Sequence, residues 1–250
     1  MMQLSHKIKD ITMLDRVRIV LVNTSHPGNI GSTARAMKTM GLQRLYLVEP
    51  HQFPHDKATE MASNADDILD QAIVVKTVAE AIKDCTLIIG TSARMRTIPW
   101  PLLEPREMAE KIKQEPENSE IAILFGREQS GLTNEELRQC HLHIHIPANA
   151  DYSSLNIAQA VQIIAYELRL ASLKEPITAN KQDYRLANAD EMEKFFLHLQ
   201  EVLILIDFLK MNAPRQLMTR LRRLFFRVRP DVMEMNILRG MLTAVQDKLK

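Results

Sequence analysis

Short, continuous apolar runs recur along the first two thirds of the chain, and helical spacing fills the stretches between most of them. The runs at 18–22 (RIVLV), 44–48 (RLYLV), 73–75, 86–90 (TLIIG), 121–125 (IAILF) and 142–146 predict strands. Helices are predicted near 31–40, 78–83, 105–114, 133–139 and 155–172; in the last, Ile157, Val161, Ile164, Ala165 and Leu168 form an apolar stripe. Strands with no polar alternation need cover on both faces. The pattern therefore predicts an α/β fold, a mostly parallel sheet with helices on both sides. Thr133 followed by Glu136 marks a helix start.

After residue 170 the strands stop. Residues 171–190 are polar, with a proline and no period, and read as a linker. Three helical stretches follow. Phe195, Leu199, Val202, Leu203 and Ile206 follow helical spacing, and Leu217, Leu221, Leu224, Phe225 and Val228 form a second stripe that can pack inward. The third stretch opens at Asp231, with Glu234 placed for a capping box. The expected layout is an N-terminal extension (1–13), an α/β domain (14–170), a linker (171–190) and a small all-α domain (191–250).

Composition adds little until it is divided. The chain has 250 residues and a net charge of +1. Residues 1–170 carry 18 Lys/Arg against 21 Asp/Glu, and residues 171–250 carry 14 against 10. Seven basic residues and no acid lie between Lys210 and Arg229. Arg220, Arg223 and Arg227, at i, i+3 and i+7, share one helix face. Such a face fits a polyanion, because each phosphate contact releases counterions; an acidic membrane surface or partner protein fits the charge as well. Cys85 and Cys140 are too few for a disulfide scaffold and suit a reducing compartment. The start, MMQLSHKIKD, lacks a signal-peptide core, and the apolar run 202–209 is too short to cross a bilayer. A cytoplasmic protein with no membrane contact is expected.

Four strand ends carry candidate chemistry. NTSHPGNIGSTARAM (23–37) has Asn29 and Arg35 but neither G-x-G-x-x-G nor a Gly-Lys-Ser/Thr phosphate loop, and its glycines, Gly28 and Gly31, are explained equally well by a tight turn. GTSARMRTIPWP (90–101) offers hydroxyls and basic groups. FGREQSGLTNEEL (125–137) sets Glu128 between two glycines. In HIPANADYSSLN (145–156), Ser153, Ser154 and Asn156 precede a helix, where capping alone accounts for them. His141, His143 and His145 alternate along a strand, but no carboxylate stands at a recognised ligand spacing, and no metal site is assigned.

Together these segments carry more than each does alone. Asn29 with Arg35, then Gly126-x-Glu128, then Ser154-Leu155-Asn156, resemble the three motifs of the SpoU-type branch of the SPOUT RNA methyltransferases. Over nearly the whole chain the resemblance is closer to bacterial tRNA 2′-O-methyltransferases that modify C or U at position 32 of the anticodon loop. It rests on LVNTSHPGNIGSTARAMKTMG, GTSARMRTIPWP, FGREQSGLTNEEL, YSSLN, and, in the tail, LRRLFFRVRP and MNILRGML.

The resemblance implies a deep trefoil knot, where the apolar pattern alone gives an open doubly wound sheet. It also implies a homodimer with sites completed near the subunit interface, and S-adenosylmethionine (AdoMet) as cofactor. By motif, AdoMet is held by Thr91, Ser92, Ala93, Gly126, Ile146, Ser153, Ser154 and Leu155. Arg35, Asn29, Glu128, Ser154 and Asn156 are the implied catalytic set, with Arg35 also presented to the RNA; beside it, the basic face of Arg220, Arg223 and Arg227 is expected to contact tRNA. A guanidinium stays protonated to above about pH 12, so Arg35 is expected to clamp phosphate and stabilise oxyanion charge rather than act as a base. Alternatives are a 2′-O-methyltransferase for another tRNA or rRNA nucleotide, or a non-catalytic RNA-binding protein of this fold.

Overall fold

The computed structural model describes residues 12–92, 101–149, 151–173, 184–210 and 214–249. Seven parallel strands form one sheet: β1 (Val17–Val22), β2 (Arg44–Val48), β3 (Ile73–Val75), β4 (Leu87–Thr91), β5 (Leu102–Leu103), β6 (Ile121–Phe125) and β7 (Leu142–Ile144). Their order is β3-β2-β1-β6-β4-β7-β5. The chain leaving β6 crosses β4 to reach β7, an order consistent with the knot that the family resemblance implies.

Both faces of the central strands are dry. In β1 and β6, Ile19, Leu21, Ile123 and Phe125 face one core, while Val20, Val22, Ala122 and Leu124 face the other. The first core is covered by α1 (Pro27–Met40), α2 (Asp56–Ala62), α5 (Pro105–Lys113) and α7 (Ile157–Leu173). The second is covered by two short helices, α4 (Val78–Ile82) and α6 (Asn134–Leu137). The capping box at Thr133 and Glu136 opens α6 as expected.

Several boundaries differ from the apolar pattern. Helix α1 begins at Pro27, four residues before the predicted start, because His26 caps it by accepting the Gly28 N–H and proline suits the first turn. Gly31 therefore serves no turn. A side chain there would meet the Ala58 carbonyl, so the glycine lets α1 and α2 cross closely. Helix α2, the single-turn α3 (Asp66–Asp70) and the two-residue β5 are too short or too polar to show a period.

The tail comprises α8 (Ala189–Leu205), α9 (Pro214–Val228) and α10 (Val232–Lys248), the last opened by the expected Asp231–Glu234 box. Of the expected linker, 174–183 lie outside the described residues, 171–173 continue α7, and 189–190 open α8. Phe195, Phe196, Phe225 and Phe226 meet at the centre of the tail. The predicted α9 stripe splits: Phe225 packs inward, but Leu224 and Val228 are exposed, and Met218 and Phe226 are buried in their place.

The tail lies against the second face of the sheet. The Ala189 N–H donates to the Cys85 carbonyl (2.9 Å), and Phe226 packs on His141 with ring centroids 4.5 Å apart. Arg229 makes a two-pronged ion pair with the buried Glu115 and also donates to the Thr86 carbonyl at 3.2 Å. Among the described residues, no helix is long and apolar enough to cross a membrane.

In HLHIHIP, His141 and His143 have structural partners. His141 Nδ1 accepts the Ile88 N–H at 3.1 Å, and His143 Nε2 donates to the Leu137 carbonyl at 3.3 Å. Burial, reinforced by the positive Arg229, pushes the His141 pKa down to about 3. The unfolded chain takes up a proton near pH 6.5 that the folded chain refuses until about pH 3. Stability therefore falls as pH drops through that window, by up to about 1.4 kcal/mol per pH unit. In His141→Asn, whose side-chain oxygen can still accept the Ile88 N–H, the slope between pH 6.5 and 5 should flatten in denaturant titrations. The carboxylates with lowered pKa values lose their contribution only below this range.

Candidate active site

The turns after β1 and β6 and the segment before α7 meet at one end of the sheet. Glu128 is their junction. Its Oε1 accepts the Asn29 Nδ2–H at 2.9 Å and the His26 N–H at 3.4 Å, and its Oε2 accepts the Ser25 hydroxyl at 3.1 Å and the Ser25 N–H at 3.3 Å. Partial burial pushes the Glu128 pKa up, but the hydrogen bonds from Asn29, Ser25 and its own backbone outweigh this and hold it below the usual carboxylate range. An ionised carboxylate only accepts, so Asn29 must turn its amide NH₂ toward Glu128. Its oxygen then faces Asn156, which donates Nδ2–H at 2.8 Å, while the Asn156 oxygen accepts the Ala158 N–H at the start of α7, also at 2.8 Å. The capping role expected of Asn156 is real, and it has a second use: one amide joins the helix to the first motif. Every amide in the chain Ala158–Asn156–Asn29–Glu128 has its orientation fixed from both ends.

A second set of contacts holds the β6 turn. Arg127 pairs with Glu136 through two bonds of 3.1 Å and donates to Asn23 Oδ1 in the β1 turn. Arg127 and Gly131 exchange backbone bonds across the loop. At Gly126 an added Cβ would lie 2.0 Å from the Gly131 carbonyl carbon, so only glycine lets the loop close on itself. Ser25 and Arg127 were not singled out from the sequence. Their signal was position, since both lie inside quoted motif segments.

Beside this network is a cavity of about 230 Å³. Of the residues that the resemblance implies for AdoMet, Thr91, Ser92, Gly126, Ile146, Ser153, Ser154 and Leu155 all line it, together with Glu128. Ala93 lies outside the described residues. The lining mixes hydroxyls and backbone with Ile144, Ile146, Leu155 and Ile157, a chemistry that suits an amphipathic nucleoside. Asn29 and Asn156 do not line it; Asn29 is tied to it through Glu128, and Asn156 through Asn29. Arg35 does not line it: this side chain stands exposed on α1.

In the tail, two of the seven basic residues are already engaged. Arg229 holds Glu115, and Arg222 makes a two-pronged pair with Glu193 while lying over Phe196. Arg220 and Arg227 are exposed and Arg223 half-buried, and none of the three has a hydrogen bond or ion pair among the described residues.

Comparison with known proteins agrees with this arrangement. Residues 16–166 match the model of the SpoU rRNA Methylase family, and residues 190–250 match that of the tRNA methyltransferase TrmJ C-terminal domain. A Yersinia enterocolitica protein named tRNA (cytidine/uridine-2′-O-)-methyltransferase TrmJ is 50% identical over 242 residues, which span 95% of this chain and 94% of that one. A Pseudomonas aeruginosa protein named tRNA (cytidine/uridine/adenosine-2′-O-)-methyltransferase TrmJ is 52% identical over 244 residues, 94% of this chain and 95% of that one. The crystal structure of TrmJ from Z. mobilis superposes with a TM-score of 0.80 at 34% identity, covering 92% of this chain and 98% of that one. With its three motif segments gathered around one cavity and its first 166 residues matched almost throughout, the chain belongs to the SpoU rRNA Methylase family.

Proposed function

We propose that the chain methylates the ribose 2′-oxygen of C or U at position 32 in the tRNA anticodon loop, with AdoMet as methyl donor, as a cytoplasmic homodimer. The observation that carries this reading is the hydrogen-bonded chain Asn156–Asn29–Glu128, which joins the three motif segments beside the cavity. The names and near-complete coverage of the half-identical relatives favour tRNA.

Thr91, Ser92, Gly126, Ile146, Ser153, Ser154 and Leu155 would hold the cofactor. Bound there, AdoMet supplies a methyl group made electrophilic by its sulfonium. The protein's task is then to place a weak nucleophile and stabilise it. The ribose oxygen gains negative charge as its O–H proton is drawn off, and Arg35 would stabilise that charge, while clamping an adjacent phosphate, until the oxygen takes the methyl group. The proton passes to a phosphate oxygen or to water, since Arg35 cannot accept it. Asn29, Glu128 and Asn156 keep the loops in register, and the Ser154 hydroxyl lines the pocket.

Arg35 stands away from the cavity of its own chain, which fits a site completed by a second subunit. The α7 face supports such a pairing: Ile163, Tyr166 and Leu173 are large, apolar and exposed. Arg220, Arg223 and Arg227 would then grip the tRNA body through phosphates.

The test is mass mapping of nucleosides in tRNA incubated with the protein and isotope-labelled AdoMet. Labelled 2′-O-methylcytidine or 2′-O-methyluridine at position 32 is the expected product. Label at another nucleotide, or only in rRNA, would replace this reading with the corresponding alternative.

A further inference from the structure

Helix α10 has two apolar faces, and the described residues cover one. Met235, Leu238 and Leu242 pack into the tail core. Asn236, Arg239, Thr243 and Asp247 form an exposed polar strip. The remaining face carries Met233, Ile237, Gly240, Met241 and Ala244, which fall within roughly 100° of helical arc, with Val245 at its edge. All are exposed, Ile237 at 61% and Met241 at 63%. A one-faced surface helix would place polar groups there.

Gly240 is a second, independent pointer. Glycine inside a helix costs about 1 kcal/mol relative to alanine. Among the described residues nothing requires it, because an added Cβ would meet open space. A glycine one turn before Ala244 leaves a shallow groove into which another helix can settle.

Charge identifies the occupant. Among the described residues of α10, the ionised groups along this face are Glu234 at its N-terminal end and Lys248 at its C-terminal end. Glu234 bonds just the backbone of its capping box, and Lys248 is exposed with no ion pair among the described residues. A surface with one lysine at its margin does not attract a phosphate backbone. A copy of the same helix running the opposite way does fit, because it brings Glu234 of each chain to Lys248 of the other and apolar residues together between them. A parallel copy would set like charges against each other.

We propose that the outer face of α10 pairs with α10 of a second copy of this chain, antiparallel, about a two-fold axis near Met241. The contact is isologous, and it uses a different surface from the exposed α7 face and from the arginines of α9. It does not depend on methyl transfer.

Disulfide trapping in the full-length protein tests it. The natural thiols stay silent: Cys85 and Cys140 are fully buried, and burial pushes the Cys85 pKa up to about 12 and that of Cys140 higher still. Met241→Cys lies at the proposed axis, and Thr243→Cys, exposed on the polar strip, is its control. Neither residue touches the helix cap. Under mild oxidation at micromolar protein, Met241→Cys should form a covalent dimer at least about tenfold faster than the control, since paired helices hold the thiols at millimolar effective concentration. Lys248→Glu in the Met241→Cys background should slow trapping several-fold, and so should Glu234→Gln, which removes the charge but keeps a capping-box acceptor. Equal trapping at 241 and 243 would overturn the pairing, whether the face is bare or covered by another protein. Slowing by Lys248→Glu with none by Glu234→Gln would overturn the antiparallel register.

Discussion

Replacing Arg35 with alanine is expected to lower methyl transfer by about a hundredfold or more, the loss typical of removing one charge-stabilising donor from a reaction centre. AdoMet affinity should change little, because Arg35 is exposed on α1 and lines no part of the cavity. Arg35→Lys should recover only part of the rate, since an ammonium cannot reproduce a two-pronged grip on phosphate. Single-turnover methylation and calorimetric AdoMet titration on the same samples check both statements. A near-normal rate in the alanine variant would remove Arg35 from the reaction. A large loss of AdoMet affinity would place it in the cofactor site instead.

The second large effect is on stability. Arg229→Ala should destabilise the protein by about 3–5 kcal/mol, because it leaves Glu115 charged and buried without a partner. For a chain of this size that corresponds to a fall in melting midpoint of roughly 6–20 °C. Glu115→Ala should act similarly, while replacing both partners together, Glu115→Gln with Arg229→Met, should recover most of the loss. Thermal melts followed by circular dichroism read the result. An unchanged midpoint in Arg229→Ala would mean that the tail does not dock through this pair. The tail shields Glu115, Thr86 and His141, so its removal exposes part of the second face of the sheet rather than releasing an independent module.

The strands at the centre of the sheet were plain in the sequence because burial on both faces forces continuous apolar runs. Strand β1 conceals one exception: Arg18 is buried yet charged, stabilised by Glu120 at 2.7 Å, the Ala81 carbonyl at 3.0 Å and the Tyr46 ring. Elements without a period, α2, α3 and β5, left no local trace. Capping boxes at Thr133 and Asp231 were legible because their partners lie three residues away. The site network was not, because its partners lie 99 and 127 residues apart and no local rule links Asn29 to Glu128 or Asn156. Only the family resemblance grouped them. Arg229 shows the same limit. In the sequence it is one of seven positive charges; in the structure, Glu115, 114 residues earlier, claims it.

The span of that network has a consequence for how the protein comes into being. Strand β1 pairs with β6, so Val17 waits for Ile121, and Asn29 waits longer still for Asn156. At roughly 5–20 residues per second, a ribosome needs about 6–25 s to make the 127 residues between the two asparagines. Through that interval the first turn of the site has no Asn156 to bond its amide oxygen. No nascent fragment ending before α7 can hold the assembled network, so the three segments stay unjoined until that helix emerges from the exit tunnel.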